Sequence, residues 1–373
     1  MIIGHIDDIL PHIEGRKDFV RAVRDGYQVV DYVFEAPDTF AHPARLECRG
    51  IKFDAAGKIL ARPFAKFFNI GQKEHTQPHL VDLSRPHVIM EKLDGSMIHP
   101  AILHRGAPGE RLVLMTRMGH TDVARKAEAL LTRELMVACV DLLASGYTPI
   151  FEFTAPDNRI VIRYEQPELH LLGVRHTING HYMAQDQVEH VARRMQVKPV
   201  EVHASIWTSA HEFVAFARAI AGREGFVVRF LDGGLMLKMK GDDYVTKHAA
   251  KDGIALEKNA LAVILDGGLD DVLPLLDGAD RGAVEAYAAA VELGIAATAN
   301  VVAGIVESGA DLDQKSFAVE HLAAVDPILK PLCFQVRKGA DARSAVVAMT
   351  RKHLTAQTGV DFIRPLFGAR WEG

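Results

Sequence analysis

Cysteine is scarce in this 373-residue chain: Cys48, Cys139 and Cys333 are the whole complement. They are too few and too scattered for a disulfide framework or a four-ligand zinc site, which is the usage expected of a reducing compartment, the cytoplasm. The 18 histidines contain no His-Glu-x-x-His spacing, so a dedicated zinc centre is not expected. Gly-x-Gly-x-x-Gly and Gly-x-x-x-x-Gly-Lys-Ser/Thr are missing after any strand-like run, which excludes an ordinary Rossmann or P-loop enzyme. A basic surplus is missing too: 43 Lys plus Arg against 48 Asp plus Glu leave a net charge of -5 and a pI near 6.4. A protein that coats phosphates advertises an excess of cations, so any polyanion site here must be a local groove. The N-terminus "MIIGHIDDILPHIEG" lacks a basic region followed by an apolar one, and no signal peptide is expected. The longest charge-free stretch, Leu293 to Val306, is short for a bilayer and carries Thr298 and Asn300, so no membrane span is expected.

What is present is the composition of a soluble globular protein, 49% hydrophobic and 24% charged. The length exceeds what one core usually supports, so two domains are expected. Short apolar runs broken by turn signals fill residues 27 to 240: "YQVVDYVF", "RGIKF", "KILARPF", "HVIM", "RLVLMTR", "TPIFEF", "IVIRY", "LHLLGVR", "GFVVRF" and "LMLKMK". These read as strands. Helical spacing predicts one long helix over Thr121 to Ser145, with Thr121 or Asp122 as N-cap, and shorter ones over Asp186 to Met195 and Ala210 to Ala221. After about Gly253 the texture turns alanine-rich and helical, with the boundary expected inside "KHAAKDGIALEK". From Ala255 onward there are 11 Lys plus Arg against 16 Asp plus Glu, so the acidity lies in the helical part. The expected architecture is therefore α+β: a domain over residues 1–250, with an N-terminal subregion of about 40 residues, of sheets with flanking helices, then an all-helical domain over 251–373.

One stretch, "VIMEKLDGSMIHP", raises a chemical question. A Lys-x-Asp-Gly tetrad arises by chance in roughly one chain of this length in ten. Alone it is either an Asp-Gly hairpin turn with Lys92 solvated, or a nucleophilic lysine at a strand end. An attacking amine needs cations or burial to lower its pKa, and carboxylates nearby to hold Mg²⁺ and a ribose. Candidates are Arg49 in "ECRGIKF", Arg62 and Lys66 in "ARPFAKFFN", and Glu152 between two phenylalanines. Glu224 opens "EGFVVRF", and Lys238 and Lys240 alternate along one strand face. Each has a bland alternative as a sheet-edge acid or a solvated lysine face; their order along the chain makes independent accident hard to sustain.

Over residues 40 to 250 the succession "ECRGIKF", "RPFAKFFN", "KLDGS", "FEFTAPDNRIV", "LLGVR", "EGFVVRF", "LKMKGDDYV" resembles the phage-type RNA ligase 1 family of covalent nucleotidyltransferases. The resemblance implies a nucleotidyltransferase fold of antiparallel sheets, no OB-fold after the last motif, and a helical C-terminal domain that helps recognise tRNA. It implies an ATP-dependent RNA ligase that joins 5′-phosphate and 3′-hydroxyl ends, such as a cleaved tRNA anticodon loop, with ATP and Mg²⁺ or Mn²⁺, working as a monomer away from membranes. By position, Lys92 matches the lysine that takes AMP, Asp94 and Gly95 complete its motif, and Glu91 matches an adenine contact. Arg49 and Lys66 match phosphate-binding cations, Glu152 the ribose contact, Val174 an adenine-packing residue, and Lys238 and Lys240 the last motif. Glu224 and Asp94 match acids at the metal. The family's lysine before a glycine is replaced: "LMTRMGH" has Met118 at its place and Arg117 one residue earlier, in the Arg-x-Gly pattern of DNA ligases. DNA ligases and mRNA capping enzymes share the tetrad but normally append an OB-fold, and an RNA-end-binding module without chemistry is the alternative of another class.

Overall fold

The computed structural model describes residues 1–371. The chain divides into two compact units, Met1–Val245 and Thr246–Gly373. The division falls just before the stretch where composition puts it, within the helix Asp242–Ile254, because the alanine-rich texture begins only after that helix has started.

The first unit is α+β. Its strands begin with β1 (Phe19–Arg24), β2 (Tyr27–Tyr32), β3 (Arg49–Asp54), β4 (Ile59–Ala61) and β5 (Phe68–Asn69). They continue with β6 (His87–Lys92), β7 (Ser96–Leu103), β8 (Arg111–Met115), β9 (Tyr147–Thr154) and β10 (Glu168–His176). The last are β11 (Lys198–Pro199), β12 (Val202–His203), β13 (Gly225–Phe230) and β14 (Met236–Lys240). They form three sheets with orders β1-β2-β3-β4, β11-β10-β9-β7-β8 and β12-β6-β13-β14-β5. Pairing is antiparallel except for β10 with β11 and β14 with β5. No strand follows β14 among the described residues, whose remaining elements are all helical.

Strand alternation decides which face each sheet covers. In the third sheet Phe226, Val228, Phe230, Leu237 and Met239 pack against Ala210, Phe213 and Ala217 of the helix Ala210–Ala219. In the second, Phe151, Phe153, Leu169 and Leu171 pack under the helices Asp122–Glu128, Arg133–Ala144 and Gln185–Met195. The opposite faces of these two sheets meet through Phe64, Ile150 and Met236. Between them lies the groove lined by Arg49, Glu91, Lys92 and Glu152.

Two local expectations are corrected. The single helix over Thr121 to Ser145 is two, because the Thr132 hydroxyl accepts the Leu135 N–H at 3.1 Å and starts a second helix. "IVIRY" is no strand: the Val161 and Ile162 N–H groups donate to the Asp94 carboxylate at 2.7 and 2.6 Å instead of to a ladder. The buried cation expected at Arg62 has its counter-charge. Glu47 accepts from Arg62 Nη2 at 2.8 Å and from Arg175 Nη2 at 2.8 Å, with all three residues buried. Burial would raise the Glu47 carboxyl, but the two guanidiniums hold it at about 2.

The second unit is helical, with a core that includes Leu261, Val291, Ile295, Leu332, Val346 and Ile363. Its longest helix, Gly278–Ser308, is long and apolar enough to cross a bilayer by length and composition, which the charge-free run alone did not suggest. Its residues Val284, Tyr287, Val291, Ile295, Ala299 and Val302, at spacings of three and four, are buried in the unit's core. Glu257 anchors the end of the unit, accepting from Arg364 at 2.5 and 2.8 Å and from the Tyr287 hydroxyl at 3.1 Å.

Glu47→Ala leaves two buried guanidiniums facing each other uncompensated. The expected cost is about 3–5 kcal/mol of stability, read from the urea unfolding curve; a loss below about 1 kcal/mol would mean that the triad relaxes into water.

Candidate active site

The Lys-x-Asp-Gly stretch is not a hairpin. Lys92 ends β6 in the third sheet and Ser96 opens β7 in the second, so the tetrad is the crossing between the groove's two walls. Gly95 sits where this crossing meets β9: a Cβ there would lie 2.3 Å from the Phe153 carbonyl oxygen. On the other wall, Gly225 of β13 faces Lys92 of β6 on one side and Lys240 of β14 on the other. Gly225 has φ of +146°, and a Cβ would come within 2.0 Å of the Met239 carbonyl oxygen, so only glycine fits. With no side chain between them, both lysines reach the preceding residue: Lys92 Nζ is 2.7 Å and Lys240 Nζ 3.0 Å from Oε1 of Glu224, which is 4% exposed.

Around this pair opens a cleft of about 750 Å³, its mouth included, with walls of Phe64, Phe67, Met90, Leu172, Val227 and Met236 and polar groups Arg49, Glu91, Lys92 and Glu152. Such a mix of flat apolar walls and few convergent polar groups suits a planar ring bearing a charged tail. Lys238 is one pleat from Lys240 on the same face, as its alternation predicts. Burial, then the charges of Lys92 and Arg49, push its amine down to about 8. Phe67 lies between Arg49 and Lys238, at 6.0 and 5.6 Å from its ring centroid. Neither cation is ion-paired with a carboxylate among the described residues, so the cleft holds two positive charges that an anionic ligand would answer. Glu152, in the central strand β9, is pushed up to about 8 by burial, against the pull of Lys92. Near neutral pH it is a donor as well as an acceptor.

Asp94 is 1% exposed and bonded through both oxygens. Its Oδ2 accepts from the Val161 and Ile162 amides, its Oδ1 accepts the Tyr244 hydroxyl at 2.7 Å, and its own N–H donates to the Tyr164 hydroxyl at 3.0 Å. The carboxylate thereby fixes the crossing loop, with three of its roughly four acceptor positions taken, which leaves about one for the metal role expected of it. Glu224 keeps that possibility, since both lysine contacts fall on Oε1.

Other expected residues sit elsewhere. Val174 is fully buried in the core beneath the second sheet and does not reach the cleft. A bulge in β10, where the register shifts between Leu171 and Gly173, inserts one residue and reverses the alternation beyond it, so Val174 turns to the core while Leu172 faces the cleft. Lys66 lies behind the cleft wall, 3.0 Å from Glu35 and over the rings of Tyr32, Phe40 and Phe68. Arg117 pairs with buried Asp31 at 2.8 Å and covers Tyr32. Glu91 lines the cleft, half-buried and pushed up by burial, with Arg223 at 3.6 Å. Sequence reasoning missed Phe67, Tyr164, Tyr244 and Lys52. Lys52 is fully buried, pushed down to about 7 by burial, and donates to the carbonyls of Gly50, Thr116 and Arg117 at 2.5, 3.0 and 3.0 Å. It thereby clamps the residues beside both arginines; a lysine inside the apolar run "RGIKF" was its only signal.

Comparison with known proteins adds a family. The family model described as RNA ligase, of the phage T4 RNA ligase 1 type, matches residues 47–248, more than half of the chain. A protein of Thermovibrio ammonificans that bears an RNA ligase name is 34% identical over 253 residues, covering 66% of this chain and 64% of that protein. RNA ligase 1 of Bacteriophage TS2126 is 28% identical over 229 residues, covering 59% and 56%. A solved archaeal ATP-dependent RNA ligase overlays 69% of this chain and 64% of its own, with a TM-score of 0.47 and 17% identity. The matched region thus spans less than two thirds of each of these relatives.

Asp94→Ala strips the acceptor from two backbone amides and the Tyr244 hydroxyl, and should cost about 3 kcal/mol, whereas Tyr244→Phe loses one bond and should cost about 1 kcal/mol. Thermal or urea unfolding of the two variants checks the ratio; equal costs would show that the loop amides find other partners.

Proposed function

This chain belongs to the phage-type RNA ligase family, and we propose that it joins a 5′-phosphate to a 3′-hydroxyl of RNA at the expense of ATP, through three nucleotidyl transfers in one cleft. The observation that carries this reading is the convergence of Lys92 and Lys240 on buried Glu224 beside two cations without carboxylate partners. In the first transfer a bond forms between Lys92 Nζ and the α-phosphorus of ATP, and the bond from that phosphorus to pyrophosphate breaks. Lys92 must shed a proton to attack, and Glu224 Oε1 at 2.7 Å is an acceptor within reach. Lys240, 3.0 Å from the same oxygen, balances the carboxylate and then faces the phosphate charge; Lys238 and Arg49 hold the phosphate oxygens. Glu152 meets the ribose, and Leu172, Met90 and Val227 sandwich the base. AMP next passes to the RNA 5′-phosphate, and the 3′-hydroxyl displaces it. Mg²⁺ or Mn²⁺, held by the free Glu224 oxygen and by ligand phosphates, would supply further charge neutralisation.

The helical unit is proposed as the part that selects the RNA, with a cleaved tRNA anticodon loop as the natural break. Its net acidity favours recognition by shape and a few contacts over a blanket of cations.

Incubation with labelled ATP and a divalent ion should label the protein in a form stable to denaturation, and Lys92→Ala should abolish the label. A label that survives in the variant removes Lys92 from the role. Sealing of a nicked anticodon stem-loop set beside a linear single strand then reads the specificity: equal rates would refute the tRNA preference.

The Lys238 amine binds phosphate only when charged. Its pKa in the free protein is lowered from an ordinary 10.5 to about 8, so kcat/KM for ATP in the labelling step should fall as pH rises through about 8, while bound phosphate keeps kcat flatter. Lys238→Met should be slower throughout and lack that limb.

A further inference from the structure

On the groove face of β13, Arg229 follows Gly225 and Val227, roughly 13 Å from the lysine pair at about 3.3 Å per residue. There a second pocket of about 1090 Å³, its mouth included, lies among Tyr182, Met183, Gln185, Arg229, Leu231 and Gly234. Arg229 is 2% exposed. Its Nη1 donates to the Met183 carbonyl at 3.3 Å and its Nη2 to Gln185 Oε1 at 2.9 Å, both neutral groups. No carboxylate pairs with it among the described residues: Asp232, nearest in sequence, is held by Arg85 through bonds of 2.8 and 2.6 Å. Asp186, the only acid in the pocket wall, is exposed at the rim.

The imbalance is one of donors as well as charge. Arg229 Nε and Gln185 Nε2 are both buried and both lack an acceptor. Gln185 also begins the helix Gln185–Met195, whose N-cap Ala184 offers no side-chain cap, so the positive end of that helix opens onto the same place. A buried guanidinium without a counter-ion is costly to keep; Arg229 asks for negative charge, and Gln185 Nε2 beside it for an acceptor.

We propose that this pocket binds a phosphate group, with Arg229 as its charge partner and Gln185 and the first helix amides as further donors. The pocket stands on its own geometry; that the phosphate belongs to an RNA strand rests on the RNA ligase reading.

Hydrogen exchange on the full chain tests it, with inorganic phosphate as the first probe. Amides of residues 181–187 and 230–234 should exchange about tenfold more slowly when phosphate stands near ten times its Kd. Gln185→Glu, which places a carboxylate against Arg229, should abolish that slowing while keeping or raising the melting temperature, and Arg229→Met should abolish it as well. No slowing in the wild type, slowing confined to residues 88–96, or equal slowing in Gln185→Glu overturns the proposal; the second outcome means phosphate bound in the Lys92 cleft alone, and the last an adventitious ion only. A second probe, single-stranded RNA without a terminal phosphate, identifies the source: protection by it assigns a backbone phosphodiester, and protection by inorganic phosphate alone assigns a free anion. Labelling of Lys92 by ATP in the Gln185→Glu protein is read in parallel, so failure of the pocket and failure of the enzyme reading remain separate.

Discussion

A single buried carboxylate organises the first unit's chemistry. Glu224 is the meeting point of two lysines delivered by different strands, and it stands beside a glycine because any side chain at Gly225 would collide with the backbone of β14. The cleft is otherwise rich in cations, and their charges add to burial in lowering Lys238. That surplus is tolerable only in a site built for anions: Glu224 neutralises part of it at rest, and the remainder is what a triphosphate would meet. Burial raises Glu152, whereas Glu224 is bonded to two lysines, so two glutamates in one cleft have different surroundings and suit different tasks.

The second constraint is the crossing between walls. Because β6 and β7 belong to different sheets, the four residues from Lys92 to Gly95 also join the two walls. Asp94 holds that crossing by reaching loop amides some 70 residues away in sequence and a tyrosine 150 away. The position of Lys92 and the width of the groove are therefore a single structural variable.

Much of this was legible in the sequence, and the failures share a cause. Alternation told correctly that Lys238 and Lys240 share a face and that Glu152 points away from its flanking phenylalanines, since both follow from the two-residue period of a strand. Val174 failed because a bulge breaks that period, and "IVIRY" failed because its amides serve Asp94 rather than a neighbouring strand. The helix over Thr121 to Ser145 failed at a threonine that caps as well as it continues. Lys52 and Tyr244 were invisible for a different reason: their roles are defined by partners distant in sequence, which no local pattern encodes. Arg229 stands within "EGFVVRF", but its want of a counter-charge depends on Met183 and Gln185, more than 40 residues away.

The bulge in β10 has a further meaning. Upstream of it Leu169 and Leu171 serve the core, and downstream Val174 serves the core again three residues on, while Leu172 alone is released to the cleft. The extra residue thus works as an adapter between two grammars, one that packs a sheet under helices and one that shapes a ligand wall. A substitution at Leu172 would therefore change the cleft wall while Leu171 and Val174 keep their places in the core.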